Sequence, residues 1–130
     1  VDLRQESHGY ANDVPVSLYV KHNIVNFGKS DAEVEASESK WLESLKGKTL
    51  TFVPLGKTDP KLFGPLTLTI TKTQTEEQVV KEAGMRYARF STTDSSWPEP
   101  QTVDRFVEFV RNLPENTWFH FHCEAGNGRT

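Results

Sequence analysis

The segment Thr117-Trp118-Phe119-His120-Phe121 runs directly into His122-Cys123-Glu124-Ala125-Gly126-Asn127-Gly128-Arg129-Thr130, and this junction constrains the fold more than any other stretch. The first five residues have the aromatic and apolar character of a buried strand. The loop after them holds the chain's single cysteine, two glycines, and an arginine six positions after the cysteine. Such a fold must end a strand at a loop tight enough to turn successive backbone N–H groups inward, which glycine permits. An arginine fork can close that ring around phosphate oxygens bidentately, which lysine cannot. A thiolate in the same positive field has a lowered pKa and is nucleophilic. The competing reading is an inert buried cysteine beside a glycine turn; the joint spacing of Cys123, both glycines and Arg129 argues against it.

Upstream, strands and helices alternate. Residues 16–20 form a short strand candidate. Ser30-x-x-Glu33 matches a capping box opening a helix with Val34, Trp41, Leu42 and Leu45 on one stripe, stopped at Gly47. Residues 50–55 and 66–71 have strand character, separated by a loop rich in Gly, Pro and Lys. Thr75-x-x-Gln78 caps a short helix ending near Gly84, and a strand over 85–90 follows. Pro100 opens a helix with Val103, Phe106, Val107 and Val110 on one face, and Pro114 ends it. A last strand covers 117–122. This is the pattern of an α/β sheet with helical crossovers, in which ligands collect at the carboxyl ends of strands, where the Cys123 loop falls.

Cleaving an alkyl phosphate near neutral pH also needs a proton for the leaving oxygen. The segment Ser91-Thr92-Thr93-Asp94-Ser95-Ser96-Trp97-Pro98 comes after a strand, and parallel packing brings it to the edge that holds Cys123. Asp94 is its carboxylate, and Trp97-Pro98 is expected to stiffen the loop and exclude water. Taken alone, Asp94 reads equally well as a local turn or cap residue. Paired with the Cys123 loop, it reads as the general acid.

Composition sets mild bounds. A net charge of −3, with the charges spread rather than blocked, gives no sign of a nucleic-acid binder. One cysteine excludes an internal disulfide, and no apolar run reaches membrane-spanning length. The chain opens on Val1 and stops at Thr130 within its most functional segment, so it reads as an excerpt: part of one catalytic domain over residues 1–130, with flanking parts expected beyond it.

His-Cys-Glu-Ala-Gly-Asn-Gly-Arg-Thr resembles the signature of the protein-tyrosine-phosphatase superfamily, and Thr93-Asp94 with Trp97-Pro98 resembles its general-acid loop. Asp2 to Tyr10, Pro15-Val16-Ser17, Asn26 to Ser30, Pro54-Leu55-Gly56-Lys57, Ala83 to Tyr87 and Trp118-x-His120-Phe121-His122-Cys123 resemble, more narrowly, the cysteine phytases of anaerobic and rumen bacteria. The likeness covers essentially the whole chain. It implies a phosphatase-like α/β fold, with a sheet flanked by helices and the catalytic loop at a strand's carboxyl end. It further implies removal of phosphates from myo-inositol hexakisphosphate through a phosphocysteine intermediate.

The resemblance also implies roles. Cys123 is the nucleophile, Arg129 the phosphate clamp and Asp94 the general acid; Thr130 steadies the thiolate and His122 braces the loop. Glu124, Ala125, Gly126, Asn127 and Gly128 cradle the reacting phosphate. Arg4 and Lys61 hold other phosphates of a polyanionic small molecule, Lys61 having the competing reading of a solvated loop lysine. Ser95 stands where many phytases have histidine, Asn23-Ile24 where relatives commonly carry Asp-Trp, and Asn127 where a small apolar or basic residue is usual. These departures bear on substrate and positional preference. No cofactor is implied. His120-x-His122-Cys123 has a zinc-like arrangement, but a metal there would consume the thiolate, so no metal is expected. His8 and His120 are expected to be structural. Compartment is open in the sequence; the resemblance points to a secreted or periplasmic setting. Phosphatases for phosphotyrosine proteins or phosphoinositides, and a non-catalytic inositol-phosphate binder, are the alternatives; an intact Cys123, Arg129 and Asp94 argue against the binder.

Overall fold

The computed structural model describes residues 1–56, 59 and 61–130; Lys57, in the Pro54-Leu55-Gly56-Lys57 match, lies outside them. Among the described residues seven short strands and three helices follow one another: β1 (Asp2–Arg4), β2 (His8–Ala11), β3 (Val14–Ser17), α1 (Asp31–Leu45), β4 (Thr49–Phe52), β5 (Leu66–Thr69), β6 (Thr73–Gln74), α2 (Glu76–Glu82), β7 (Arg89–Thr92) and α3 (Pro100–Arg111). A 3₁₀ turn, Lys21–Asn26, precedes α1. No helix among the described residues is long and apolar enough to cross a membrane.

Both capping boxes form. Glu33 returns its carboxylate to the Ser30 N–H at 2.8 Å, and the Gln78 amide oxygen accepts from the Thr75 N–H at 2.9 Å, satisfying donors that a helix start leaves open. Helix α1 buries Val34, Leu42 and Leu45, with Glu38 on the same face. Past its end, Gly47 adopts φ +77° and donates to the Ile70 carbonyl at 2.8 Å. Strands β2 and β3 form a hairpin whose two loop residues, Asn12 and Asp13, have φ of 48° and 66°, the left-handed pair that matches strand twist. Strand β6 joins the other edge of β2, and β4 pairs antiparallel with β5. The apolar core gathers Ala11, Val16, Leu42, Leu45 and Ile70, with Trp41, Leu50 and Phe52 packed against it.

The expected parallel arrangement survives in one place. Strand β1 pairs parallel with β7. Its other side meets residues 120–122, where the Val1 nitrogen donates to the His120 carbonyl at 2.6 Å, the His122 N–H to Val1 at 3.1 Å and the Leu3 N–H to His122 at 3.0 Å. Segment 117–122 is therefore not the regular strand its aromatic run predicts. It runs beside β1 but forms a single bridge, Asp2 to His122, because β1 supplies only three residues of ladder. The expected 85–90 strand is displaced to Arg89–Thr92, where β1 provides the partner. The first predicted strand likewise shifts to Val14–Ser17, the length the hairpin allows. Among the described residues the strands of this α/β fold are divided over three small sheets.

Helix α3 is rotated from the stripe its spacing predicts: Phe106 of that stripe turns inward, but its three valines do not. Val103, Val107 and Val110 are 42%, 38% and 37% exposed, while Phe106 and Phe109 each bring their rings to 5.4 Å from Phe90. Edge-on and tilted aromatic contacts on that one ring set the rotation of the helix.

Beneath the loops lies a charged interior. Arg89 donates to both Glu38 oxygens at 3.1 and 3.0 Å and to the backbone carbonyls of Arg4 and Glu6. His8 contacts Glu76 at 2.8 Å and Asp2 at 3.3 Å, and the Tyr87 hydroxyl donates to Asp2 at 2.7 Å. Buried charges persist only when paired and hydrogen-bonded. Here they tie β1, β2, α1, α2 and β7 into one frame behind the Cys123 loop.

Candidate active site

Cys123 comes after the extended segment beside β1 and is 8% exposed. Burial pushes its thiol pKa up, but the backbone N–H groups of Arg129, Gly128, Asn127 and Gly126 aim at the sulfur, and the net value falls to about 7. Gly126 makes this possible with φ +68°, which turns the chain so that successive N–H groups face one centre. The glycine loop is thus an anion cradle already occupied at its base by the sulfur.

Arg129 is held from behind. Two of its nitrogens donate to Glu6 at 2.6 and 2.7 Å, and Nη1 reaches the Thr92 carbonyl at 3.2 Å. Both side chains are 3% exposed, so the fork has one orientation. Its buried Nε has no hydrogen-bond partner among the described residues. Glu6 is also contacted by Arg4 at 3.0 Å; burial raises its pKa, yet Arg129 and Arg4 together carry it down to about 2.

Asp94 stands two residues past β7 and directly before Ser95, which has φ +58°. Its Oδ1 lies 3.9 Å from Arg129 Nε, and its Oδ2 accepts from Asn23 Nδ2 at 2.8 Å. Thr93 donates to Gln5 at 3.1 Å, tying this loop to the segment that carries Glu6. The structure therefore brings Asp94, Arg129 and the Cys123 loop to the same edge of the β7–β1 pair.

The remaining expectations separate. His122 bonds Glu76 at 2.8 Å through Nε2. Arg4, donating to Glu6 and to Ser17 Oγ, lines two adjoining cavities of about 660 and 640 Å³. Glu124 lines both, Asp94 one of them, and Cys123 neither. Lys61 is exposed and lines neither cavity, and Ser95, Ala125, Gly126, Asn127, Gly128 and Thr130 are exposed. Trp97 is 93% exposed, so among the described residues its ring covers nothing at this site, contrary to expectation. His8 is buried as expected, but it bonds carboxylates as well as backbone; its pKa, lowered by burial, is carried up to about 9 by Asp2 and Glu76. His120 is exposed and stacks on His122.

Asp2, Glu76 and His122 place ligand-type atoms within 4.8 Å of one another. That group excludes Cys123 and His120, and its carboxylates are already matched by His8 and Arg89. Glu6 and Glu76 were not singled out by motif. The available signal was the placement of Asp2, Arg4, Glu6 and His8 at alternate positions, a charged parity running through an otherwise buried segment.

The family model for PTP-like phytases, described as inositol hexakisphosphate, matches residues 1–130. The PTP-like myo-inositol phosphatase of Mitsuokella multacida, solved in complex with myo-inositol-(1,3,4,5)-tetrakisphosphate, superposes with a TM-score of 0.85 at 38% identity, covering 96% of this chain and 21% of that one. A PTP-like phytase from Bdellovibrio bacteriovorus superposes with a TM-score of 0.77 at 39% identity, covering 96% and 42% respectively. Effector protein hopD2 of Pseudomonas syringae pv. tomato is 35% identical over 134 residues, covering 100% of this chain and 29% of that protein. The chain thus spans less than half the length of each of these relatives. With the matched model spanning all of its residues, the chain belongs to the PTP-like phytase family.

Proposed function

We propose that this chain carries the catalytic centre of a phosphatase that removes phosphates from myo-inositol hexakisphosphate and lower inositol polyphosphates, forming part of one catalytic domain. The observation that carries the reading is the Cys123 thiol, set against four backbone N–H groups with a pKa near 7, beside an arginine fork fixed by Glu6. In this mechanism the Cys123 thiolate attacks phosphorus while the bond to the inositol oxygen breaks. Protonated Asp94 gives its proton to that oxygen, so the leaving group departs as an alcohol. The cradle N–H groups and Arg129 hold the equatorial oxygens, whose charge they stabilise throughout. Water then attacks the phosphocysteine, Asp94 takes its proton, and phosphate and the thiolate are released.

Substrate class is supported by family membership and by the inositol tetrakisphosphate bound to the Mitsuokella relative. Arg4 lines both cavities, which supports its assignment to a further phosphate; Lys61 and Ser95 are assigned the same task on resemblance alone. Thr130 is assigned to the thiolate on the same ground.

The test is phosphate release by the full-length protein from inositol hexakisphosphate beside a phosphotyrosyl peptide, with Cys123→Ser as control. Expected are preference for the inositol substrate, no turnover in Cys123→Ser, and a phosphoenzyme trapped by acid quench of the wild type only. Preference for the peptide would overturn the substrate assignment, and turnover by Cys123→Ser would overturn the mechanism.

A further inference from the structure

Asn23 closes the side of Asp94 that Arg129 leaves open. Its amide donates to Asp94 Oδ2 at 2.8 Å, while Oδ1 faces Arg129 Nε at 3.9 Å. Asn23 sits at the kink of the Lys21–Asn26 turn, where His22 and Asn23 both hold left-handed backbone (φ 62°, ψ 16° and φ 54°, ψ 30°). Two consecutive non-glycine residues in that region are strained, and such strain persists only where surroundings fix it. The fixing contacts are present: the Asn23 N–H donates to the Val20 carbonyl at 2.7 Å, and Asn26, 1% exposed, donates to the Gln5 carbonyl and to Ser7 Oγ, both at 2.9 Å. The turn is thus locked to the same segment that carries Glu6. Asparagine is also among the few residues that adopt this backbone readily.

We infer that Asn23 is a positioning residue that selects which oxygen of Asp94 carries the transferable proton. The carbonyl oxygen of a carboxylic acid is a better acceptor than its hydroxyl, so the amide N–H on Oδ2 favours the acid's hydrogen on Oδ1, where Arg129 Nε, at 3.9 Å, is beyond hydrogen-bond distance. That is the side on which a phosphate held by Arg129 would present its leaving oxygen. Aspartate at position 23 would replace a donor with a second carboxyl, which would compete for the proton. The other charged groups sharing this cavity are Arg4 at the end of β1, Glu6 from the segment after it, His22 from the turn and Glu124 from the catalytic loop.

The inference rests on Asp94 being the proton donor, and the test separates the two. Asn23→Gly removes the amide while tolerating the backbone angle; it is assayed in full-length protein, alone and combined with Asp94→Asn, on inositol hexakisphosphate and on p-nitrophenyl phosphate. Expected is a loss of about tenfold in kcat on the inositol substrate, little loss on the aryl phosphate, whose leaving group needs no proton, and no added loss in the Asp94→Asn background. Asn23→Asp should move the alkaline fall of activity to higher pH, because two carboxyls then share a proton. Equal losses on both substrates, or a further loss in the Asp94→Asn background, would show a structural role and overturn the inference. If Asp94→Asn itself loses equally on both substrates, the donor assignment falls and the inference with it. If Asp94→Asn shows the leaving-group dependence while Asn23→Gly behaves as wild type, the assignment of Asp94 stands and only the role of Asn23 is lost.

Discussion

Glu6 and Arg129 meet fork to fork, at 2.6 and 2.7 Å, with neither side chain more than 3% exposed. A residue that no motif marks thereby fixes the orientation of the one that the motif does mark. In Glu6→Gln the guanidinium loses its counter-charge inside the protein. Stability should fall by about 3 kcal/mol, the scale of a broken buried pair, and kcat/KM by about 10- to 100-fold through misplacement of the clamp. The Glu6 pKa is depressed to about 2. Its stabilising contribution is therefore complete above the ordinary carboxylate range and is lost as pH falls towards 2. Melting curves and steady-state kinetics on the same preparation check both; unchanged kcat/KM would sever Glu6 from the site.

The Cys123 thiol should react with iodoacetamide at a rate that rises with pH through a midpoint near 7, against the ordinary value of 9. Inorganic phosphate, filling the cradle, should slow the reaction. A midpoint of 8.5 or above would mean that the four N–H groups do not stabilise the thiolate in solution.

His8 gives stability a pH dependence of opposite sign to that of Glu6. Its pKa is raised from 6.5 to about 9, so its contribution is complete below pH 6.5 and disappears as pH rises through 9. The full effect is about 3 kcal/mol, a tenfold change in proton affinity being worth about 1.4 kcal/mol. Cys123, whose pKa is lowered, acts in the other direction between pH 7 and 9. The comparison that isolates the histidine is thus wild type against His8→Gln across pH 6 to 9. The wild-type melting temperature should fall more steeply; parallel curves would show that His8 is not held as a cation.

Gly9 is constrained by crowding. A Cβ there would lie 2.6 Å from the Gln74 carbonyl oxygen on β6 and 2.6 Å from Leu42 Cδ1 on α1. Leucine can rotate away, whereas a paired strand's backbone cannot. Gly9→Ala should cost about 1–3 kcal/mol, the range for overpacking a core, read as a lower urea midpoint with unchanged slope.

Local chemistry was legible in the sequence. Ser30 with Glu33 and Thr75 with Gln78 announce their helices because each capping box is complete within four residues. The Cys123 loop and the Asp94 loop were legible for the same reason, and their meeting at one edge followed from parallel pairing. Contacts whose cause lies far along the chain were not. Glu38 reads as a surface residue of α1 until Arg89, 51 positions away, is placed beside it. Segment 117–122 has a strand's composition but only a short ladder to pair with, and the inward face of α3 is set by Phe90 rather than by its own valines.

The position of β1 between β7 and residues 120–122 governs when this site can exist during folding. The β2–β3 hairpin closes over two residues, whereas Arg129 must find Glu6 across 123 positions. Long closures are slow because chain entropy is lost before any contact repays it. As the chain is synthesised, β1 emerges before both of its partners, β7 and residues 120–122. An unpaired apolar strand in that state would recruit neighbouring chains, but this stretch carries Asp2, Arg4, Glu6 and His8, whose hydration keeps open edges from joining. The same four side chains that become the charged interior of the folded protein thus act beforehand as gatekeepers of the nascent one, and the backbone cradle around the Cys123 thiol is assembled only after they have found their partners.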